Sequence, residues 1–317
     1  GKGSQKSAIM ILLEAQPLFE LPQGVSMRSE GADLEIRYFQ ETIEPESAER
    51  MVLRMPEGAI TISCSPDGLI HAEYELHGSA SLLPGWRSSV RRHDSILIMT
   101  NETPKEIYTA NVTVRIPERI KDLEVHSMKG EIDVRECPID LLVISELGTI
   151  HIHGAHNVEA SSIQGAITLL NCGSATINTI DGSVKCTKLS GSLHVETQGG
   201  DIQASRIKGN VIALSTGGDI SVLKPEGRIR LISHGGDIEL ELAGVFGGGE
   251  ANTYSGDINL MLEQANVEFR AETLSGQISS PGTTISSGTG PRRCAYKIGM
   301  GTKRLHVKSV LGDIEVE

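Results

Sequence analysis

Aspartate recurs in this chain directly after a glycine, within a short motif that ends on an apolar residue. STGGDI at 215–220 is one copy, and VLGDI at 310–314 is the last. Hard cations such as Ca²⁺ bind several carboxylate and carbonyl oxygens at once, so carboxylates stacked in a column could hold them. The candidate calcium ligands are Asp201, Asp219, Asp237 and Asp257.

Two features of the motif favour a different role for its aspartate. The nonapeptide calcium pattern GGxGxDxUx is absent, because here the aspartate follows the glycine without a spacer. Sister copies of the motif carry other residues at this place, namely Glu131, Thr149, Ala166, Ser183 and Gln277. A column of metal ligands does not tolerate alanine, so capping of a turn is the favoured interpretation and no cofactor is predicted. A calcium-stabilised glycan-binding rod is kept as an alternative.

Basic residues gather in the segment 281–304 of an otherwise acidic protein. They are Arg292, Arg293, Lys297, Lys303 and Arg304. Glycines beside basic residues can cradle a phosphate, but the pattern GxxxxGK[ST] is missing. The segment is still the candidate for contact with a partner, although a solvated loop or an irregular rung that caps the fold is the favoured interpretation.

Histidine and the common catalytic motifs indicate little further chemistry. His151 and His153 alternate in the stretch HIHGAH and could share a metal, but the sequence offers no third ligand at a suitable distance. HExxH, GxSxG and a Ser/His/Asp order are absent. A polysaccharide-acting β-helix enzyme is the enzymatic alternative, although one Trp, five Tyr and four Phe provide few platforms for sugar rings. We predict a protein that is not an enzyme.

Charge and cysteine content limit the classes of partner. The 317 residues carry 29 basic and 41 acidic side chains, for a formal charge of −12, which argues against nucleic-acid binding. Five cysteines without a CxxC pair indicate neither a disulfide framework nor a zinc site. The apolar run in SAIMILLEA is too short to span a membrane. These features are typical of a cytoplasmic protein, or of an envelope protein whose export signal or anchor was trimmed.

A repeat of about eighteen residues positions these side chains. Glycines recur every nine residues from 182 to 236, and the second and fourth residues after each are apolar or small. Such alternation predicts short strands with one buried face. A strand of this kind cannot bury its apolar face alone, so the units must stack. The predicted fold is an all-β solenoid with two short strands per rung.

Alternate glycines are preceded, three positions earlier, by Ser or Thr. By the parity of its strand this hydroxyl points inward, and the glycine then supplies the unusual backbone angle of a tight corner. The clearest predicted structural corners are Ser215–Gly218, Ser233–Gly236 and Thr253–Gly256. One interval, between Gly276 and Gly312, spans 36 residues and is expected to hold two rungs, one without a recognisable corner.

The rest of the chain divides by regularity. Residues 1–18 are predicted to be a tag remnant or a disordered N-terminus, 19–120 an irregular β region that is stacked on or caps the solenoid, and 121–317 the regular solenoid. The stretch SLLPGWRSSVRRHD at 81–94 is typical of a surface loop. The final GDIEVE is expected to expose an open strand edge, which predicts a homo-oligomer by end-to-end strand pairing.

Copies of [ST]-x-x-G-[DEN]-[IV]-x-[VL], preceded by VTVRIPERIKDLEVHSMKGEIDV at 112–134, resemble the Toastrack family of bacterial β-strand repeat proteins, also described as adhesins. The closing RRCAYKIGMGTKRLHVKSVLGDIEVE is similar to the end of that family's pattern. The resemblance implies a non-catalytic scaffold or adhesin-like interaction module with a link to the bacterial cell envelope or to envelope stress. Its partner would be a protein or a cell-surface component.

Overall fold

The structure is a computed structural model that describes residues 26–28, 34–81, 83–101, 107–263, 265–280, 283–285 and 290–317. The predicted tag remnant at 1–18 and parts of the segment 281–304 lie outside the described residues. The described chain is a β-solenoid, as the repeat predicted. Its strands form two sheets, sheet A with 16 strands and sheet B with 14. We call two successive strands, one in each sheet, a rung.

The middle of the molecule is a regular stack of parallel rungs. Within each sheet the strand of one rung pairs with the strands of the rungs before and after it in the chain, as in Ile202↔Ile220 and Ile220↔Ile238. Sheet B contributes the odd-numbered strands and sheet A the even-numbered strands. The strands are β9 Asp122–Lys129, β10 Ile132–Arg135, β11 Asp140–Leu147, β12 Ile150–His153, β13 Asn157–Gln164, β14 Ile167–Leu170, β15 Ser174–Thr179, β16 Val184–Leu189, β17 Leu193–Thr197, β18 Ile202–Ile207, β19 Val211–Ser215, β20 Ile220–Leu223, β21 Ile229–Ser233, β22 Ile238–Ala243, β23 Gly249–Thr253 and β24 Ile258–Glu263.

The core is a narrow space between the two sheets, filled by aliphatic side chains. Successive residues of a strand point to opposite faces, so the first and third residues of each sheet A strand face inward. Ile202, Ile220 and Ile238 stack on one another in this way, and each has 0% exposure. Because each rung covers the apolar face of the next, the core needs few aromatic side chains.

The corner hydroxyls are all buried, and five of the ten donate a hydrogen bond to a neighbouring rung. The ten residues are Ser127, Ser145, Ser162, Thr179, Thr197, Ser215, Ser233, Thr253, Thr273 and Ser309. In the corner of Ser233 the Gly236 N–H donates to Oγ at 2.9 Å, and Oγ donates to the Gly218 carbonyl of the preceding rung at 3.2 Å. The hydroxyl thus satisfies one backbone donor and one backbone acceptor inside the core.

The corner glycines are required for two different reasons. Gly130, Gly148 and Gly165 have φ of 140°, 144° and 125°, so they take the predicted unusual angle. That prediction is wrong for the corners from Gly182 onward, including Gly218, Gly236 and Gly256, which have no positive φ. There a side chain is excluded by close contact between rungs.

Contact between neighbouring corners leaves no room for a Cβ atom. A Cβ built on Gly218 would lie 2.2 Å from the Gly200 carbonyl oxygen, and one on Gly200 would lie 2.0 Å from that of Gly182. We call this stack of corner glycines the glycine column. It runs through every rung described above and marks which rungs are neighbours.

At the N-terminal end, the order of the rungs in the stack differs from their order in the chain. The strands of this end are β1 Ser26–Arg28, β2 Leu34–Ile43, β3 Arg50–Glu57, β4 Ile60–Ser65, β5 Ile70–Ser79, β6 Ser88–His93, β7 Ile96–Asn101 and β8 Ile107–Pro117, with a 3₁₀ turn at Leu83–Gly85. The rung β3–β4 lies between the later rung β7–β8 and the rung β9–β10. The first complete rung of the chain is therefore second in the stack. Antiparallel strands β2, β5 and β6 continue the sheets beyond it.

An aromatic cluster closes this end. Trp86 has 0% exposure, its ring centroid lies 4.8 Å from that of Tyr74, and its Nε1–H donates to Asn101 Oδ1 at 2.5 Å. The Tyr74 hydroxyl in turn donates to the Glu41 carboxylate at 2.5 Å. The prediction of a surface loop at 81–94 is wrong for Trp86. Its side chain is buried and covers the core at the N-terminal end of the stack. Aromatic area is concentrated here because an end has no next rung to cover it.

At the C-terminal end, too, the order of the rungs in the stack differs from their order in the chain. The strands of this end are β25 Val267–Thr273, β26 Ile278–Ser280, β27 Thr283–Ile285, β28 Arg292–Ile298, β29 Lys303–Ser309 and β30 Ile314–Val316. The last rung of the chain, β29–β30, lies between β23–β24 and β25–β26. Strands β27 and β28 pair antiparallel with β26 and β25 on the outside. The interval of 36 residues thus contains a reversed cap in place of the second rung that was expected.

The prediction of an open edge at GDIEVE is wrong, because β30 pairs with β24 on one side and β26 on the other. The homo-oligomer predicted from end-to-end pairing relied on a free edge of this strand, and β30 has no free edge. The glycine column shows the same order: a Cβ on Gly312 would lie 2.1 Å from the Gly256 oxygen, and one on Gly276 would lie 1.9 Å from the Gly312 oxygen.

Candidate interaction surface

A basic surface lies on the outer side of sheet B at the C-terminal end. Strands β28, β25, β29, β23 and β21 are neighbours there in that order, and their outward residues form rows across the sheet. We call the following set the basic face. It consists of Arg230, Glu250, Glu268, Arg270, Glu272, Arg293, Lys297, Arg304, His306 and Lys308.

Strand register brings residues from distant parts of the sequence into these rows. One row runs Arg270, His306, Glu250 and Arg230. Lys308 lies directly across from Glu272 in the neighbouring row. Because β29 is inserted out of order, its basic side chains fall between β25 and β23, which end 36 and 56 residues earlier in the chain. The sequence alone gives no reason to group them.

The charge of the basic face opposes that of the whole chain. It holds six Arg or Lys residues and three Glu residues, so with His306 neutral its formal charge is +3, on a chain of −12. The Glu268 carboxylate forms ion pairs with two guanidinium groups, that of Arg270 at 2.8 Å and that of Arg304 at 3.5 Å. The hydrogen bond from Arg270 lowers the pKa of the Glu268 carboxyl, and the nearby cations act in the same direction.

Lysine and arginine side chains on this face are available to a partner. Arg293 and Arg304 have 71% and 74% of their side chains exposed, and their Glu partners lie at 3.3 and 3.5 Å. Exposed pairs of this kind contribute only about 0–1 kcal/mol, so a partner's carboxylates or phosphates can compete for the cations. Lys308 makes no ion pair with the described residues.

The five predicted partner residues separate into two groups. Arg293, Lys297 and Arg304 are on the basic face, and Lys303 is exposed at the start of β29. The Arg292 side chain instead lies over Gly276, the outermost glycine of the glycine column. Its Nη1 donates to the Ser275 carbonyl at 2.6 Å and also to the Gly276 carbonyl. It takes the place of the corner hydroxyl that a further rung would supply.

Sequence reasoning missed Arg230, Arg270, His306 and Lys308. Each stands at an outward position of a strand, so a count of charge by strand parity could have found them. Their grouping also required the neighbours β29 and β25, which only the structure gives.

Acidic side chains occupy the opposite side of the same rungs. In sheet A, Glu239, Asn259 and Glu315 form one outward row, and Glu241 pairs with Lys224 at 2.9 Å. The aspartates of the repeated motif precede these strands and are exposed. The rungs therefore carry opposite charge on their two broad sides.

The candidate calcium ligands fasten adjacent rungs through backbone hydrogen bonds. Asp219 N–H donates to Asp201 Oδ1 at 3.0 Å, and Asp237 N–H donates to Asp219 Oδ1 at 2.8 Å. Asp257 and Asp313 continue this series at 2.7 Å each. Each carboxylate thus binds a backbone donor in the next rung. The described residues contain no group of three or more His, Cys, Asp or Glu side chains arranged to hold a metal ion.

The two histidines of HIHGAH lie on the outer side of sheet A and contact separate partners. His153 Nδ1 lies 3.0 Å from Glu136 Oε1, and His151 Nε2 lies 3.8 Å from Glu131 Oε1. His153 Nε2 also contacts Asn171 Nδ2 at 2.9 Å.

The family model named Toastrack DUF4097 matches residues 87–317. The chain belongs to the Toastrack DUF4097 family. This match covers most of the chain, and it confirms the resemblance that the repeated motif indicated. No curated protein matches the chain in sequence.

Solved structures offer more distant likenesses to this Toastrack protein. A proposed adhesin from Bacteroides fragilis is 14% identical with a TM-score of 0.40, and the match covers 88% of this chain and 97% of the other. A proposed adhesin from Parabacteroides distasonis is 12% identical with a TM-score of 0.34, covering 88% and 97%. A proposed cell adhesion protein from Clostridium sporogenes is 10% identical with a TM-score of 0.23, covering 89% and 98%. At such scores the role of this chain must be argued from its own residues.

One further finding concerns membranes. None of the helical turns among the described residues is long and apolar enough to cross a bilayer.

Proposed function

We propose that this protein is a non-catalytic, adhesin-like interaction module of the bacterial cell envelope that binds an anionic partner on its basic face. The partner is an acidic protein or an anionic component of the cell surface. The observation that carries the proposal is the formal charge of +3 on the basic face of a chain whose total charge is −12. Local charge of one sign steers a partner of the other sign and fixes its orientation.

The shape and rigidity of the site support binding. The basic face is part of a paired sheet whose inward residues Phe269, Ala271 and Val307 are buried, so its side chains project from a fixed backbone. Sites on regular strands hold their geometry better than sites on loops. Sugar recognition by stacking is disfavoured, because the single Trp of the chain, Trp86, is buried at the other end.

Charge reversal tests the proposal. Binding of the fluorescently labelled protein is measured on immobilised poly-L-glutamate and on bacterial cells, for the wild type and for the double variant Arg270→Glu/Lys308→Glu. The matched control reverses Lys185 and Lys224, two exposed lysines outside the basic face. We expect the double variant to bind on the order of tenfold more weakly at low salt, corresponding to about 1.4 kcal/mol, and the control to bind within about twofold of the wild type. Equal loss in the two variants would show that only total charge matters and would overturn the proposed site.

A further inference from the structure

Two cysteines that are far apart in sequence meet near the N-terminal end. Cys64 lies in β4, and Cys137 follows β10 by two residues. The two strands pair in parallel, with Ile60↔Ile132 through Ser63↔Arg135. The two Sγ atoms lie 3.4 Å apart. Cys137 has 0% exposure, whereas Cys64 is partly exposed.

The backbone at the end of β10 directs Cys137 toward its partner. Glu136 has φ of 50°, a left-handed conformation that ends the extended strand, and its N–H donates to the His153 carbonyl at 2.9 Å. Asn171 takes the same conformation, with φ of 53°, two rungs further along, and is followed by Cys172. That thiol has the same place in the repeat, but its Sγ donates to a backbone carbonyl, that of Leu170 at 3.4 Å, and not to a sulfur atom. Cys172 is therefore an internal control for Cys137.

We propose that Cys64 and Cys137 are an oxidation site, where a low-molecular-weight disulfide such as oxidised glutathione converts the two thiols into an intramolecular disulfide. Cys64, the more accessible sulfur, attacks one sulfur of the small disulfide as a thiolate, and the disulfide bond of the reagent breaks. One small thiol leaves, and a mixed disulfide remains on Cys64.

Cys137 then completes the exchange. Its sulfur attacks Cys64 Sγ, the mixed disulfide breaks, and the second small thiol leaves with the proton from Cys137. In total, two electrons and two protons pass from the protein thiols to the reagent. Burial raises the pKa of the Cys137 thiol, so it stays protonated and shielded from reagent until Cys64 has reacted.

The location of the pair gives the bond a structural consequence. It joins β3–β4, the first rung of the chain, to β9–β10, the first rung of the regular stack. The loop that it closes contains residues 65–136, which include the outer rung β7–β8 and the antiparallel strands β5 and β6 that pair with it. Closing a long loop restricts the unfolded chain and stabilises the folded one. Oxidation would therefore fasten the out-of-order N-terminal end.

The test uses the full chain, reduced with dithiothreitol or incubated with oxidised glutathione. Proteolytic mapping under non-reducing conditions identifies the bond, and thermal unfolding measures its effect. We expect one disulfide, Cys64–Cys137, no retained glutathione, and a rise in Tm on the order of 5–10 °C that dithiothreitol reverses.

Two variants sharpen the test. Cys64→Ser should lose both the bond and the rise in Tm, whereas Cys172→Ser should keep both. The comparison of oxidised and reduced wild type decides the matter even if Cys64→Ser folds poorly. Glutathione retained on Cys64, a bond to any other cysteine, a bond between two molecules, or an unchanged Tm after the bond has formed would each overturn the proposal.

Discussion

The middle of the solenoid and its two ends are built from the same rungs but joined in different orders. From β11 to β22 each rung contacts the rungs that precede and follow it in the chain. At each end the terminal rung of the chain lies one place inward, between the outer rung and the regular stack. The outer rungs belong to internal segments, and antiparallel strands cover them.

The difference shows how a stack with sequential contacts can protect its ends. In a repeat protein each unit contacts only its neighbours, so rungs can detach one by one from an end. Here β29–β30 cannot leave without separating from both β23–β24 and β25–β26. A free strand edge can pair with another chain. Because the terminal rung lies inside the stack, its strands have no free edge.

Deletion of residues 303–317 should have the largest effect. It removes a rung from the interior, with the buried side chains of Leu305, Val307, Ile314 and Val316. At about 1.5–3 kcal/mol for each buried side chain, we expect a loss of roughly 6–12 kcal/mol. Hydrogen exchange should show that residues 267–273 and 292–298 lose their protection, because their neighbouring rung is gone. Deletion of Glu317 alone is the control and should leave that protection in place.

A methyl group in the glycine column should be the next most damaging change. Gly218→Ala places Cβ 2.2 Å from the Gly200 oxygen, whereas the same change at Gly217 places it 3.5 Å from the Gln198 oxygen. We expect Gly218→Ala to cost roughly 3 kcal/mol or more and Gly217→Ala to cost under about 1 kcal/mol. Gly312→Ala should match Gly218→Ala, since its Cβ would lie 2.1 Å from the Gly256 oxygen. Chemical denaturation measures all three, and a mild effect at Gly312 would contradict the column at the C-terminal end.

Within the regular stack, the corner hydroxyls differ in whether they make hydrogen bonds. Ser233→Ala leaves the Gly236 N–H and the Gly218 carbonyl without the partner they have now, which should cost about 1–3 kcal/mol. Ser145→Ala should change stability by less than about 0.5 kcal/mol or raise it. Its Oγ is buried and has no hydrogen-bond partner in the described chain, because the Gly148 N–H donates to the Gln164 carbonyl instead. Urea unfolding of the two variants checks the difference, and equal losses would refute it.

Arg292→Ala should have a smaller effect than Ser233→Ala. The change removes the guanidinium that covers the Ser275 and Gly276 carbonyls, and we expect a loss of about 1–2 kcal/mol. Arg293→Ala is the matched control, because its exposed pair with Glu272 contributes about 0–1 kcal/mol. Thermal unfolding that ranks Arg293→Ala as the more harmful change would contradict the role given to Arg292.

Local patterns predicted the regular part of this structure well. Alternation predicted the strands, and the spacing of Ser, Gly and Ile predicted the rung, since both depend on neighbours in the chain. The order of rungs at the ends could not be predicted that way. The segments β23–β24, β25–β26 and β29–β30 carry the same motif, and any order of stacking buries the same residues. Trp86 was misjudged because flanking Pro and Arg residues are typical of loops, whereas the exposed end of a core requires a large apolar plug.

The last rung of the chain lies inside the stack, and pairs of cysteines introduced on the outer side of sheet B can detect this position. Lys308 lies beside Asn252 on one side and Glu272 on the other. Neighbouring strands are about 4.8 Å apart and strands two rungs apart are about 10 Å apart, while a disulfide needs a Cα separation of roughly 4.4–6.8 Å. After mild oxidation and non-reducing peptide mapping, we predict bonds in N252C/K308C and in K308C/E272C, and none in N252C/E272C. A bond in N252C/E272C would contradict the claim, because those two strands would then be neighbours.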